Sequence, residues 1–107
     1  MMVLDREQLR EVTLEDEELM RHLLAVLIED TERHIPLLEM AVRGLDAQQC
    51  ARLAHYCKGA CANVGARAAA AVLERIERQA ASGSIAECSF QLVLLAKEVD
   101  RLRAETI

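Results

Sequence analysis

The side chain with the clearest chemical potential in this sequence is that of His55, which opens the run His55-x-x-Lys58-Gly59. If this region is helical, its apolar side chains form one stripe, and His55 lies roughly 140–150° from the middle of that stripe. The spacing therefore predicts an imidazole that faces solvent, where it can act as a nucleophile. The stripe consists of Cys50, Leu53, Ala54, Cys57, Cys61 and Val64.

The outer face that carries His55 is otherwise built of small or polar residues. Glycine inside a helix costs about 1 kcal/mol relative to alanine, so Gly59, one turn after His55, requires a physical reason. One reason is clearance for a second surface that approaches the imidazole. The alternative is close packing against another helix of the same chain. The neighbours of His55 on this face are Gln48, Ala51, Arg52, Gly59 and Ala62, with Lys58 to one side.

The run His55-x-x-Lys58-Gly59, followed by Asn63-Val-Gly-Ala66, resembles the motif of the histidine-containing phosphotransfer (HPt) domains of bacterial phosphorelays. The acidic, leucine-rich segment 17–30 and the run 72–77 are also similar to that family, so the resemblance covers nearly the whole chain. The chain departs from the family at residues 60 and 61, where many members carry small hydroxyl side chains and this one has alanine and cysteine.

The resemblance implies that His55 accepts a phosphoryl group from the aspartyl phosphate of a receiver domain and passes it to another receiver domain. Such a chain is a phosphocarrier without autonomous kinase activity. It has no cofactor of its own, and Mg²⁺ is expected on the partner receiver. Lys58 would offset the phosphoryl charge, and Gln48, Ala51 and Ala62 would form a flat contact surface around Gly59. Arg52 would either assist at this surface or be a solvated surface charge. The expected partners are response-regulator receiver domains, with a hybrid histidine kinase as a further candidate.

Members of this family often place a glutamine on the next helix, where it can hydrogen-bond the histidine ring. By count from His55 the matching residue is Glu77, although Gln79 lies close by. A carboxylate that accepts a hydrogen bond from Nδ1–H would fix the tautomer and leave Nε2 free to attack. We therefore expect Glu77 to orient His55. His22 and His34 lack the Lys-Gly context and are expected to be surface or half-buried structural residues.

Composition limits the remaining possibilities. The chain has 107 residues and a net charge of −5, with no basic stripe, which argues against nucleic acid as a partner. No apolar run approaches the ~18 residues of a membrane span, and the first residues do not resemble a signal peptide. We expect a single domain over residues 1–107 that is monomeric and cytoplasmic and has no membrane partner.

The four cysteines agree with a reducing compartment, since all of them lie on predicted core faces of helices. None forms a C-x-x-C pair, and no zinc-ligand pattern appears. Cys57 and Cys61 are four residues apart on the core face of one helix and could in principle hold a metal. The alternative that we favour is that they are buried thiols acting as small apolar residues.

The chain divides into helices with short connections, which predicts an all-α fold. We expect an antiparallel up-down four-helix bundle with a short N-terminal capping helix over residues 4–10. Leu4, Leu9 and Val12 would cover one end of the core, and Thr13 would be the N-cap of a second helix that runs to about Arg43.

The boundaries of the later helices follow from caps and glycines. Pro36 should bend the second helix rather than end it. Asp46 is the predicted N-cap of the central helix, and Gln49 three residues later completes a capping-box pattern. This helix would end at Gly65. A fourth helix is predicted over about 66–80, and Ser84 with Glu87 would form the capping box of the last helix.

Three other functions fit the pattern less well. A bundle that docks a receiver without carrying a phosphoryl group would not need the intact set of His55, Lys58 and Gly59. The domain could instead be a phosphotransfer domain excised from a larger hybrid or chemotaxis-type histidine kinase, but its Asn63–Ala66 ending looks closer to ordinary phosphorelay domains. A purely structural helical module remains the third alternative.

Overall fold

A computed structural model describes all residues from 1 to 107, and 80% of them are helical with no β-strand. The predicted all-α fold is therefore confirmed. Leucine and alanine, both strong helix formers, dominate the apolar residues and account for this content. The helices are α1 (Arg6–Val12), α2 (Glu17–Arg43), α3 (Ala47–Val64), α4 (Arg67–Ala81) and α5 (Cys88–Arg103), with a 3₁₀ turn at Ile85–Glu87 before α5.

The four long helices surround one apolar core. Helix α2 packs against α3 and α5, and α4 also packs against α3 and α5, so each long helix has two long neighbours. The molecule measures 42 × 20 × 18 Å, and its long dimension matches the ~40 Å length of a 27-residue helix such as α2. The largest fully buried side chains include Leu38, Leu73, Ile76, Leu95 and Leu102.

Helix α1 lies at the end of the molecule where α3 and α5 finish and α4 begins. The amide of Asp5 donates to the carbonyl of Gly65 at 2.8 Å, just after α3. The Asp5 carboxylate accepts a hydrogen bond of 2.7 Å from Arg67, the first residue of α4. Arg6 donates to the carbonyl of Thr106, beyond α5, at 2.7 Å. These contacts join three helix ends to α1.

The connection from α1 to α2 differs from the prediction. Thr13 is not the N-cap of α2 but the buried C-cap of α1, where its hydroxyl donates to the carbonyl of Leu9 at 2.8 Å. Leu14 and Glu15 then adopt left-handed conformations, with φ of 54° and 64°, which delays the next helix. The N-cap of α2 is Asp16, whose carboxylate accepts from the amide of residue 19 at 3.1 Å.

Two further predictions of helix boundaries and caps are wrong. Helix α1 begins and ends two residues later than predicted, and Val12 is 51% exposed rather than part of the core. Ser84 makes no side-chain cap, because the chain enters a 3₁₀ turn there and α5 begins only at Cys88.

The caps of α3, which carries His55, are where the sequence predicts them. The Asp46 carboxylate accepts from the amide of Gln49 at 3.1 Å, and Gly65 ends the helix with φ of 97°. The reciprocal half of the capping box is not formed, since the Asp46 amide donates to the carbonyl of Ala41. Pro36 lies inside α2 without ending it. None of the helices combines the length and apolar content needed to cross a bilayer.

Candidate functional site

His55 projects from the middle of α3 with 69% of its side chain exposed. Its Nδ1 atom lies 2.9 Å from Oε2 of Glu77 on α4, and Nε2 makes no hydrogen bond within the chain. An ionised carboxylate can only accept hydrogen bonds, so the ring nitrogen that faces Glu77 must carry the proton. In the neutral imidazole the lone pair is therefore on the unoccupied nitrogen, Nε2.

The same carboxylate also binds the lysine of the motif. Nζ of Lys58 lies 2.7 Å from Oε1 of Glu77, whose side chain is only 26% exposed. The hydrogen bond from Lys58 and then that from His55 lower the pKa of Glu77 below its usual 4.5, against the opposing effect of burial. Glu77 thus stays ionised at neutral pH and holds the imidazole and the ammonium at once.

The surface beside His55 is open at Gly59. A Cβ atom placed on Gly59 would meet no atom within 4 Å, so no other helix of this chain packs closely there. This excludes the packing explanation for the glycine. Gly59, Ala62 and Lys58 line a groove of about 490 Å³ between α3 and α4. Close approach of a second molecule is therefore sterically possible at this point.

The other residues predicted for the contact surface lie around this opening. Gln48, Arg52 and Ala62 are exposed, and Ala51 is half-buried. Gln79, the alternative partner of the ring, makes no hydrogen bond to His55, whereas Glu77 does.

A polar cluster next to the site could not be recognised from the sequence. The hydroxyl of Tyr56, the residue after His55, donates to the Asp30 carboxylate on α2 at 3.0 Å. Half-buried His34 lies 4.9 Å from the Tyr56 ring and holds the Asp30 carbonyl through Nδ1 at 2.7 Å. The spacing of Asp30 and His34 hints at a contact, but the pairing with Tyr56 depends on how α2 and α3 pack. His22 is exposed.

The cysteines all lie in the core. Burial raises the pKa of Cys50 and of Cys57 to about 12, and that of Cys61 to about 11. These thiols therefore stay protonated at neutral pH, in line with the expectation that Cys57 and Cys61 act as small apolar residues. Cys88 is also buried and free.

Comparison with known proteins agrees with this geometry. The family model described as "Hpt domain" matches residues 22–105, which is most of the chain. The fold is similar to the crystal structure of histidine-containing phosphotransfer protein B (HptB) from Pseudomonas aeruginosa PAO1. The TM-score is 0.86 at 26% sequence identity, over 94% of this chain and 88% of that chain. No curated protein sequence matches the chain. The chain belongs to the Hpt domain family, and its role is histidine phosphotransfer in a phosphorelay.

Proposed function

We propose that the protein is a phosphorelay intermediate that takes a phosphoryl group from the aspartyl phosphate of one receiver domain and transfers it to an aspartate of another. The observation that carries this proposal is the exposed imidazole of His55, whose Nδ1 is held by Glu77 while Nε2 is unoccupied. The bundle contains the acceptor, and the donor supplies the energy of transfer.

The chemistry needs one nucleophilic step in each direction. The Nε2 lone pair of His55 attacks phosphorus, and the bond from phosphorus to the receiver carboxylate breaks with its electron pair on that carboxylate. The Nδ1 proton stays on the ring, and Glu77 stabilises the positive charge that develops there. In the second step a receiver carboxylate oxygen attacks phosphorus, and the P–N electron pair returns to Nε2. No proton has to move in either step.

Charge compensation would come from both proteins. A phosphoryl group brings a charge of roughly −1.5 to −2 close to Glu77. Lys58, already beside the site, would offset part of this charge. Mg²⁺ would be bound by the receiver domain and not by this chain. Gln48, Ala51, Arg52, Gly59 and Ala62 would form the surface on which the receiver rests.

We infer a single domain over residues 1–107 with the four long helices in antiparallel up-down order and α1 across one end. The contacts of α1 with the ends of α3 and α5 and the start of α4 support this arrangement. We further propose that the protein acts as a cytoplasmic monomer whose partners are receiver domains, including one on a hybrid kinase.

The test is transfer of label from a ³²P-labelled receiver domain. Acid-labile label on the wild-type protein, absent from His55→Gln and retained in His22→Gln, would support the proposal. His22 is a matched control because it is an exposed helical histidine outside the motif. Binding of the receiver without any transfer would instead favour a docking module. Direct labelling by ATP and a kinase catalytic domain would favour a chemotaxis-type domain. Rates against every receiver of the source organism would then identify the partners.

A further inference from the structure

The charges of this protein are unevenly divided between its helices. Helices α3 and α4 together carry five basic and two acidic residues, a net charge of +3. All other residues together carry eight basic and sixteen acidic side chains, a net charge of −8. Helix α3 contains no acidic residue at all. The helix pair that presents His55 is thus a basic region of an acidic protein.

Ion pairs within the chain neutralise some of these charges. Glu77 is paired with Lys58 at 2.7 Å, and Arg67 is paired with Asp5 at 2.7 Å. Glu74, the remaining acidic residue of the pair, is exposed on α4. The carboxylates of Glu74 and Glu77 therefore form no ion pair with the other arginines of α3 and α4.

Two arginines near His55 stay uncompensated. Arg52 precedes His55 by one turn on the outer face of α3, and Arg78 directly follows Glu77 on α4. Both are exposed, and neither side chain forms an ion pair or a hydrogen bond within the chain. A third arginine, Arg75, donates at 3.0 Å to Gln91, which is neutral. We define Arg52 and Arg78 as the basic pair.

We infer that the basic pair steers and orients a partner whose docking surface carries an excess of carboxylates. This inference rests on the proposed function and specifies its partner as a receiver domain with an acidic surface around its phosphorylated aspartate. The basic pair attracts that surface, while the strongly acidic remainder of the bundle repels it from wrong orientations. Complementary charge of this kind mainly raises the association rate and suppresses wrong encounters.

The experiment distinguishes an effect of where the positive charges lie from an effect of the net charge of the protein. The variant Arg52→Glu/Arg78→Glu removes the basic pair, and Arg43→Glu/Lys97→Glu makes the same charge change on α2 and α5. Arg43 and Lys97 are exposed and lie outside the predicted contact surface. The measured quantity is kcat/KM for transfer from an isolated acidic receiver domain phosphorylated with acetyl phosphate. Measurements are made at 0.01 M and 1 M salt, where the Debye length is about 30 Å and about 3 Å.

At low salt we expect kcat/KM of the basic-pair variant to be at least about tenfold below that of the control variant. At high salt the ratio should approach one, and Arg52→Gln/Arg78→Gln should lie in between. A ratio near one at low salt would overturn the inference but leave phosphotransfer through His55 intact. Absence of transfer in the wild type would overturn both. Binding to phosphatidylserine vesicles that is lost in the basic-pair variant would also overturn it, because it would assign the arginines to a membrane.

Discussion

Nδ1 of His55 and Oε2 of Glu77 lie 2.9 Å apart on neighbouring helices, although the two residues are 22 positions apart in the chain. The other oxygen of the same carboxylate lies 2.7 Å from Nζ of Lys58. Glu77 is therefore placed to affect both the tautomer of the imidazole and the position of the ammonium group.

Removing the carboxylate should slow phosphoryl acceptance. We expect Glu77→Ala to lower the transfer rate by about tenfold to a hundredfold, the equivalent of a charge-assisted hydrogen bond worth roughly 1.5–3 kcal/mol. Glu77→Gln should lose less, because the amide oxygen still accepts from Nδ1–H. Quench-flow transfer assays measure the rate, and ¹⁵N NMR of the ring reports the tautomer. Gln79→Ala is the matched control. If Glu77→Ala transfers as fast as the wild type, Glu77 does not orient His55.

Glu77 should also make stability depend on pH in a defined direction. Its pKa is lower in the folded protein than the usual 4.5, so the folded state binds fewer protons than the unfolded state near that pH. The stabilisation from the ionised carboxylate should be complete above about pH 5 and disappear as the pH falls through the lowered pKa. Urea unfolding of the wild type and Glu77→Gln between pH 6 and pH 3 measures this. A stability difference that does not change over this range would contradict the expectation.

Substitution of Gly59 should not lower the free energy of unfolding, but a large side chain there should weaken docking of the receiver domain. Because a Cβ there meets no atom within 4 Å, Gly59→Ala should raise the free energy of unfolding by about 0.5–1 kcal/mol. Gly59→Leu should raise KM for the receiver domain strongly, because the side chain would fill the space left for the partner. Unfolding curves and transfer kinetics are compared. An unchanged KM in Gly59→Leu would show that no partner comes close at this position.

Gly65 provides the contrasting control for that experiment. A Cβ on Gly65 would lie 2.8 Å from the carbonyl oxygen of Asp5, and the residue has φ of 97°. Gly65→Ala should therefore destabilise the protein by roughly 1–3 kcal/mol.

The cysteines should be unreactive in the folded protein. Burial raises the pKa of Cys57 to about 12 and that of Cys61 to about 11, and both thiols are shielded from solvent. We expect iodoacetamide at pH 8 to modify them only after unfolding in urea, as judged by mass spectrometry. Rapid modification of the native protein would show that the α2–α3 side of the core opens readily.

Much of the site could be predicted because α3 has simple local rules. A single apolar stripe fixes which way His55 points, and Asp46 and Gly65 mark the helix ends with residue types that suit those positions. The contact of Lys58 with Glu77 was not predicted, because it depends on the rotation of α4 about its axis. The position of Glu77 opposite His55 came from family resemblance rather than from periodicity.

The errors lie where several residues compete for one role. Thr13 and Asp16 are both good N-caps, and the choice between them depends on the left-handed Leu14 and Glu15, residue types that rarely adopt that conformation. Ser84 has the right spacing to Glu87 for a capping box, but the tight 3₁₀ turn there leaves no ordinary helix start to cap.

The open surface at Gly59 has a consequence for how the protein would select one partner from several related ones. Gly59 and the alanines around it make no directional interactions, so the centre of the contact would accept many related partner domains equally well. Discrimination between pathways would then rest on the periphery, where long side chains such as Arg52 can be exchanged without disturbing the reacting ring. A change of partner specificity should therefore require substitutions only at the edge of the contact surface.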